Sequence, residues 1–202
     1  MPAPLTTPVV TALRARGSGR VAVELDGRLW RVLPLEAVYA GNLAVGAMLD
    51  RASARALRRE LRRIEARGVA LRALRARDHT TASLEQRLAD RGTTAAVRRE
   101  TVAAAQRAGL VDDQRFAAGR AALLASRGAG DLLIGDDLER HGVPAVAIRA
   151  AVDGLEPESI RAAAIVEARG ASARTARYLA GKGFSEATLE SLVADLVTEE
   201  LG

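Results

Sequence analysis

Three times along this chain a leucine stands four residues before a glycine, and a valine follows that glycine by ten. The sets are Leu88, Gly92 and Val102; Leu138, Gly142 and Val152; and Leu179, Gly183 and Val193. The second and third sets also carry an apolar residue six after the glycine, Ile148 and Leu189, where the first has Arg98 and offers Val97. A glycine at such a place ends one helix in a left-handed cap, and Thr94, Pro144 or Ser185, two residues on, opens the next. Successive glycines 50 and then 41 residues apart fall in the range of helical repeat arrays. With the helix leading into each piece, the beat predicts helices near 69–78, 81–91 and 94–108, then 112–127, 130–141 and 144–154, then 157–169, 172–182 and 185–200. Helices of three or four turns cannot bury a face alone, so neighbouring units must stack or pack on shared linkers. The predicted architecture is mainly α: tandem three-helix repeats in an elongated, curved array.

Composition agrees and narrows the function classes. Of 202 residues, 49% are hydrophobic but only 2% aromatic, so the core is built from Ala, Leu and Val, with helices approaching closely. There is no cysteine, which removes disulfides and thiolate metal sites, and His79 and His141 are too far apart in sequence to suggest a site. No apolar run reaches the roughly 20 residues needed to span a membrane. The opening MPAPLTTPVVTALRARGSGR does not read as a signal peptide, so residues 1–20 are expected to be a flexible tail of a cytoplasmic protein.

Ahead of the array lies a different texture. VAVEL-DG-RLWRVL reads as a hairpin turning on Asp26-Gly27, with Val23 expected opposite Trp30 and Val21 opposite Val32, all four on one buried face. A basic helix follows, in which Ala54, Leu57, Leu61 and Ile64 form the apolar stripe and Gly68 the expected stop. Residues 51–77 hold ten arginines against Glu60 and Glu65, a density that favours polyanions through counterion release; a solvated face is the other reading. Residues 183–202, by contrast, carry five acids and no base. Residues 21–67 thus form the N-terminal element, with repeats over 68–110, 111–155 and 156–202.

The stretch GLVDDQRFA, at 109–117, is where an enzyme reading could enter, since paired carboxylates can do acid–base work or hold a metal. No His or Cys cluster accompanies it, and its position fits a joint between units. Asp112 is placed as N-cap, with Val111 before it and Phe116 at the fourth position, while Asp113 opposes the helix dipole in the first turn. GAGDLLIG, at 128–135, follows a helix instead of a strand and lacks a G-K-[ST] ending, so it is no phosphate loop. Phe116, Tyr178 and Phe184 are expected to pack in cores. The chain reads as a non-enzyme with no cofactor, metal or catalytic residue.

The same joint carries a resemblance. GLVDDQRFA, followed by SRGAGDLLIGDDLERHGV and YLAGKGFSEATLESLV and preceded by LRARDHTTASLEQRLADRG, is similar to the RecX family of recombinase regulators over residues 70–200. The sequence departs from that pattern in Leu84-Glu85, in the single base Lys182, and in the three aspartates of GAGDLLIGDDLERHG. The resemblance implies a monomeric regulator that binds the groove of a RecA–DNA filament, with weak, sequence-independent affinity for single-stranded DNA, and that inhibits strand exchange and coupled ATP hydrolysis. The residues expected to meet filament or nucleic acid are Arg58, Arg59, Arg62, Arg63, Arg75, Arg77, Arg87, Arg91, Arg115, Arg120, Arg127, Arg140 and Lys182. Of these, Arg91, Arg127, Arg140 and Lys182 equally suit helix C-termini, where cations compensate the dipole. The rival classes are a sequence-specific transcriptional regulator with a winged-helix-like N-terminal module and a helical adaptor for another acidic partner.

Overall fold

The structure, a computed structural model, describes residues 7–191. By internal packing the chain divides into two compact units, residues 1–72 with 88–101, and residues 73–87 with 102–202.

The first unit begins with an antiparallel meander of β1 (Val10–Arg16), β2 (Arg20–Leu25) and β3 (Arg28–Pro34), ordered β1-β2-β3. The expected hairpin is there: Asp26 (φ 49°) and Gly27 (φ 77°) make the left-handed two-residue turn that matches strand twist. Residues 10–16, expected in a flexible tail, instead supply the third strand. Val10 is fully buried, and its N–H and C=O are taken by Ala47 and Gly46, a pairing with distant chain that no local pattern announces.

The register across β2 and β3 also differs from expectation. Val23 pairs with Arg31 and Glu24 with Leu29, leaving Trp30 as the extra residue of a bulge. Beyond the bulge Val21 meets Leu33 and Ala22 meets Val32. Leu33 therefore joins Val21 and Val23 in the core, while Trp30 and Val32 are each 37% exposed. A one-residue shift moves a side chain to the other face of a sheet, and that is the whole of the correction.

Residues 34–50, which the sequence leaves open, form the short α1 (Leu35–Ala40) and a loop that ends on Asp50. The Asp50 carboxylate accepts the Ser53 N–H at 2.7 Å and starts α2 (Arg51–Ala76). This helix does not stop at Gly68. Nothing breaks the chain after that glycine, and the helix formers VALRALRA carry the ladder on, so the separate helix expected over 69–78 is the second half of α2. The buried side of α2 changes along its length. Leu57, with half-buried Leu61 and Ile64, faces the sheet core, whereas Ala66, nine residues past Leu57 and so about half a turn round, begins a second buried set with Val69, Ala70 and Ala73. Gly68→Ala is expected to stabilise the protein by about 1 kcal/mol in thermal unfolding, because its added methyl meets only the mobile guanidinium end of Arg72.

The helices that follow sit close to their expected positions: α3 (Thr81–Ala89), α4 (Ala95–Arg107), α5 (Asp113–Ser126), α6 (Asp131–Arg140), α7 (Ala145–Asp153), α8 (Glu158–Arg169) and α9 (Ala173–Gly181). Helical backbone resumes at 186; the rest of the helix expected over 185–200, with Val193, lies outside the described residues.

The leucine–glycine beat has a direct structural cause. Gly92, Gly142 and Gly183 have φ of 72°, 71° and 80°. At each, the residue after the glycine donates its N–H to the leucine carbonyl: Thr93 to Leu88, Val143 to Leu138 and Phe184 to Leu179, at 3.1, 3.1 and 3.2 Å. This is the Schellman closure, in which the third residue from the helix end accepts the long bond and packs its side chain inward. All three leucines are buried, and Gly109 and Gly128 close α4 and α5 in the same way. In the second unit α5, α6 and α7 share a core of Ala117, Ala121, Ile134, Leu138, Ala147, Ile148 and Ala151, where alanines let the helices approach closely. Ala162, Leu179 and Phe184 form a smaller one.

Candidate nucleic-acid and filament interface

The arginines over residues 51–67 of α2 separate into two groups. Arg63 bonds Glu100 at 3.0 Å and Glu60 at 3.4 Å, and Arg67 bonds Glu36 at 2.5 Å and Glu60 at 3.3 Å. Arg51, Arg55, Arg58, Arg59 and Arg62 are exposed, and among the described residues no hydrogen bond or ion pair engages their side chains. Their spacing places them on one side of the helix, away from Leu57 and Leu61, in a stripe about 17 Å long. A row of unpaired guanidiniums at that pitch grips phosphates or carboxylates without reading bases.

Half of the arginines expected near the joints are held by partners within the fold. Arg120 of α5 holds Asp137 of α6 through two bonds, at 2.7 and 2.9 Å, and that guanidinium keeps the Asp137 carboxyl below its ordinary value. Arg115 donates to the Gly109 carbonyl at 3.1 Å, and Arg140 to the Asp136 carbonyl at 3.1 Å. Lys182 lies 5.7 Å from the Tyr178 ring. Arg75, Arg77, Arg87, Arg91 and Arg127 are exposed at or beside helix C-termini.

Asp112 is the N-cap of α5, its carboxylate accepting the Gln114 and Arg115 N–H groups at 3.0 Å. Its neighbour does something the sequence does not announce. Asp113 accepts the N–H of Thr81, the first residue of α3, at 2.7 Å, while the Thr80 hydroxyl donates to the His141 carbonyl at 2.7 Å. The same joint recurs further on. Glu158 accepts the N–H of Asp131, the first residue of α6, at 2.7 Å, while Gly130 N–H donates to the Lys182 carbonyl at 2.9 Å. In each, the first residue of an incoming helix caps an earlier one, and the start of that earlier helix sits on a glycine turn. The signal, visible only afterwards, is a carboxylate opening both α5 and α8.

The second joint is the more densely bonded. Glu158 also receives Ser185 N–H at 3.1 Å, Ser185 Oγ at 2.5 Å and Thr188 Oγ1 at 2.7 Å. Burial raises its pKa, but the bonds from Ser185, Asp131 N–H and Thr188 outweigh that and hold it below the ordinary value. Burial, then the Glu158 charge, pushes Asp131 up although Arg161 pairs with it. Arg161 also donates to the Ala129 carbonyl at 2.7 Å. Two of the three aspartates that depart from the resemblance are thus engaged within the fold, Asp131 at this joint and Asp137 in the α5–α6 pair with Arg120.

A groove of about 440 Å³ in the second unit is lined by Asp78, His79, Leu110, Asp112, Arg115 and Phe116, among others. His79 is buried with Nδ1 3.0 Å from Ser83 Oγ; burial and then the charges of Arg77 and Arg87 keep it below its ordinary 6.5, hence neutral at physiological pH. Of its charged lining, Asp112 is committed to capping and Arg115 to the Gly109 carbonyl. Among the described residues no group of three or more His, Cys, Asp or Glu could hold a metal ion, and no helix is long and apolar enough to cross a membrane.

No family model and no curated protein matches the chain. Solved structures do. The crystal structure of regulatory protein RecX has 19% sequence identity and a TM-score of 0.76, covering 93% of this chain and 99% of that one. The crystal structure of RecX from Lactobacillus salivarius has 16% identity and a TM-score of 0.59, covering 68% and 97%. These likenesses show the fold.

Proposed function

We propose that this chain, which has the fold of the RecX regulatory proteins, is a member of that family and a non-catalytic regulator of the RecA recombinase. It binds along the groove of the RecA–DNA filament as a monomer and inhibits strand exchange and coupled ATP hydrolysis. The repeats over 68–110, 111–155 and 156–202 form the docking body.

The observation that carries this reading is the arginine stripe of α2, five cations with no partner among the described residues, on a chain of this fold. Uncompensated positive charge of one sign steers a protein toward a polyanion, and a nucleoprotein filament is one. Arg63, by contrast, belongs to the first unit's own ion pairs. Preformed filaments on single-stranded DNA are expected to lose ATP turnover when this protein is added below stoichiometry. Reversing Arg58, Arg59 and Arg62 together to Glu raises the concentration needed roughly tenfold or more at low salt, and less at high salt. Unslowed turnover with the parent protein sinks the reading; undiminished inhibition by the triple variant sinks the role of the stripe. A sequence-specific shifted band without recombinase identifies a transcriptional regulator instead.

A further inference from the structure

The bulge in β3 leaves a combination of side chains that the fold does not use. Leu29 is 60% exposed, and Trp30 and Val32 follow at 37% each on an edge strand. None of the three belongs to the core that Val21, Val23, Leu33 and Leu57 build beneath the sheet. Around them the sheet is basic. Arg14, Arg16, Arg20, Arg28 and Arg31 are exposed, against Glu24 and Asp26 in the same three strands and their turn. Arg14 is paired with Glu24 at 2.8 Å and Arg20 donates to the Val32 carbonyl at 3.1 Å. Arg16 and Arg28 have no partner among the described residues, and Arg31 has only the Trp30 ring, 5.9 Å from its guanidinium carbon.

The alternation of the strands places Arg14 and Arg16 of β1, Arg20 of β2 and Val32 of β3 on the face opposite the core, as their pairing through Ala22 and Arg20 requires. Aromatic and aliphatic surface flanked by unpaired guanidiniums suits a ligand that is anionic along its backbone and planar and apolar on its side groups. That is the chemistry of a single-stranded nucleic acid, whose bases stack on aromatic rings while arginines follow the phosphates. An acidic protein surface would satisfy the arginines and leave Trp30 and Leu29 without a partner.

We infer that the β3 edge of the N-terminal sheet, with the outer face beside it, binds single-stranded nucleic acid, a base stacked on Trp30 and phosphates held by Arg28 and Arg31 along the edge and by Arg16 on the outer face. This rests on the nucleic-acid part of the reading above and adds base contact at the sheet to the phosphate contact of the α2 arginine stripe, which has no aromatic residue.

The test uses the full chain without recombinase. Trp30 is the chain's one tryptophan, so its emission reports on this face alone. A thymidine oligonucleotide at low salt is expected to quench it, and inorganic polyphosphate or polyglutamate of matched charge is not. By anisotropy of a labelled oligonucleotide, Trp30→Ala weakens binding roughly ten- to hundredfold, the size of one stacked base, and Trp30→Tyr restores most of it. Arg16→Gln and Arg28→Gln each flatten the salt dependence by about 0.7 of a unit in log–log slope. Far-ultraviolet circular dichroism verifies that each variant keeps the parent fold. Unchanged affinity in Trp30→Ala overturns the proposal, as does equal quenching by polyphosphate or polyglutamate. Loss of quenching on reversing Arg58, Arg59 and Arg62 at every oligonucleotide concentration assigns the site to the helix and overturns it too. The slowing of filament ATP turnover is a separate readout, so either idea can fail without the other.

Discussion

Replacing Gly183 by alanine is expected to lower the thermal midpoint of this protein more than a methyl group added at any exposed glycine. Two penalties coincide there. The residue has φ of 80°, a left-handed conformation that costs a side-chain-bearing residue about 1–2 kcal/mol. The added Cβ also falls 2.5 Å from Leu133 Cβ and 2.6 Å from its backbone nitrogen. The first turn of α6 would have to lift away, breaking the Leu132 N–H bond to the Gly183 carbonyl at 3.0 Å and the Gly130 bond to Lys182. The combined loss is on the order of 3–5 kcal/mol. Gly130→Ala tests the other side of the same contact, since its Cβ meets the Gly183 carbonyl oxygen at 2.3 Å. Two controls separate the causes. Gly92 has the same left-handed backbone with open space around it, so Gly92→Ala loses only about 1 kcal/mol. Gly135 lies inside α6 with nothing within 4 Å, so Gly135→Ala gains up to about 1 kcal/mol. Should Gly183→Ala melt within a degree or two of Gly92→Ala, the close approach of α6 to that turn is wrong.

Glu158→Ala is expected to be nearly as damaging, and in a pH-dependent way. Its carboxylate accepts two N–H groups and two hydroxyls, and removing it strands half-buried donors at two helix starts; the loss is about 3 kcal/mol near neutral pH. Because the folded protein holds Glu158 below the ordinary 4.5, its stabilisation is complete above that value and disappears as pH falls through the lower folded one. Asp131 runs the other way. Its raised pKa means the folded state disfavours its charge, a burden relieved on acidification. Denaturant unfolding of parent and variant at neutral pH and again near pH 3 therefore shows a gap that narrows in acid. A gap of constant width means that the charged carboxylate is not what holds the joint.

Much of this was legible in the sequence because it is local. A leucine at the third position from a helix end, a glycine four later and a small or cyclic residue two beyond are consecutive requirements of one turn, so the beat at Leu88, Leu138 and Leu179 located the helix ends. Asp112 as N-cap is local in the same sense. Gly68 misled because glycine alone does not end a helix; what ends α3 and α6 is glycine with a left-handed backbone followed by a residue whose N–H turns back. The place of Trp30 is hidden because a bulge depends on how two strands settle together, and β1 because its start at Val10 is held by residues 46 and 47, distant in the chain. The site divides likewise. Charge density points to α2, yet Arg63 and Arg120 are committed to Glu100 and Asp137, which lie near only in the folded chain, and Asp113 and Glu158 act on helices far upstream.

Those two carboxylates impose an order of birth. Thr81 N–H meets its cap 32 residues later and Asp131 N–H meets its own 27 residues later. On the ribosome, α3 and α6 therefore each emerge with a first N–H that stays open until the helix two places on, α5 or α8, has left the exit tunnel, and assembly ratchets from the amino side toward the carboxyl side. A break in translation after α6 and before Glu158 delivers a fragment whose α6 lacks that cap, a loose end for the cell's proteases to find.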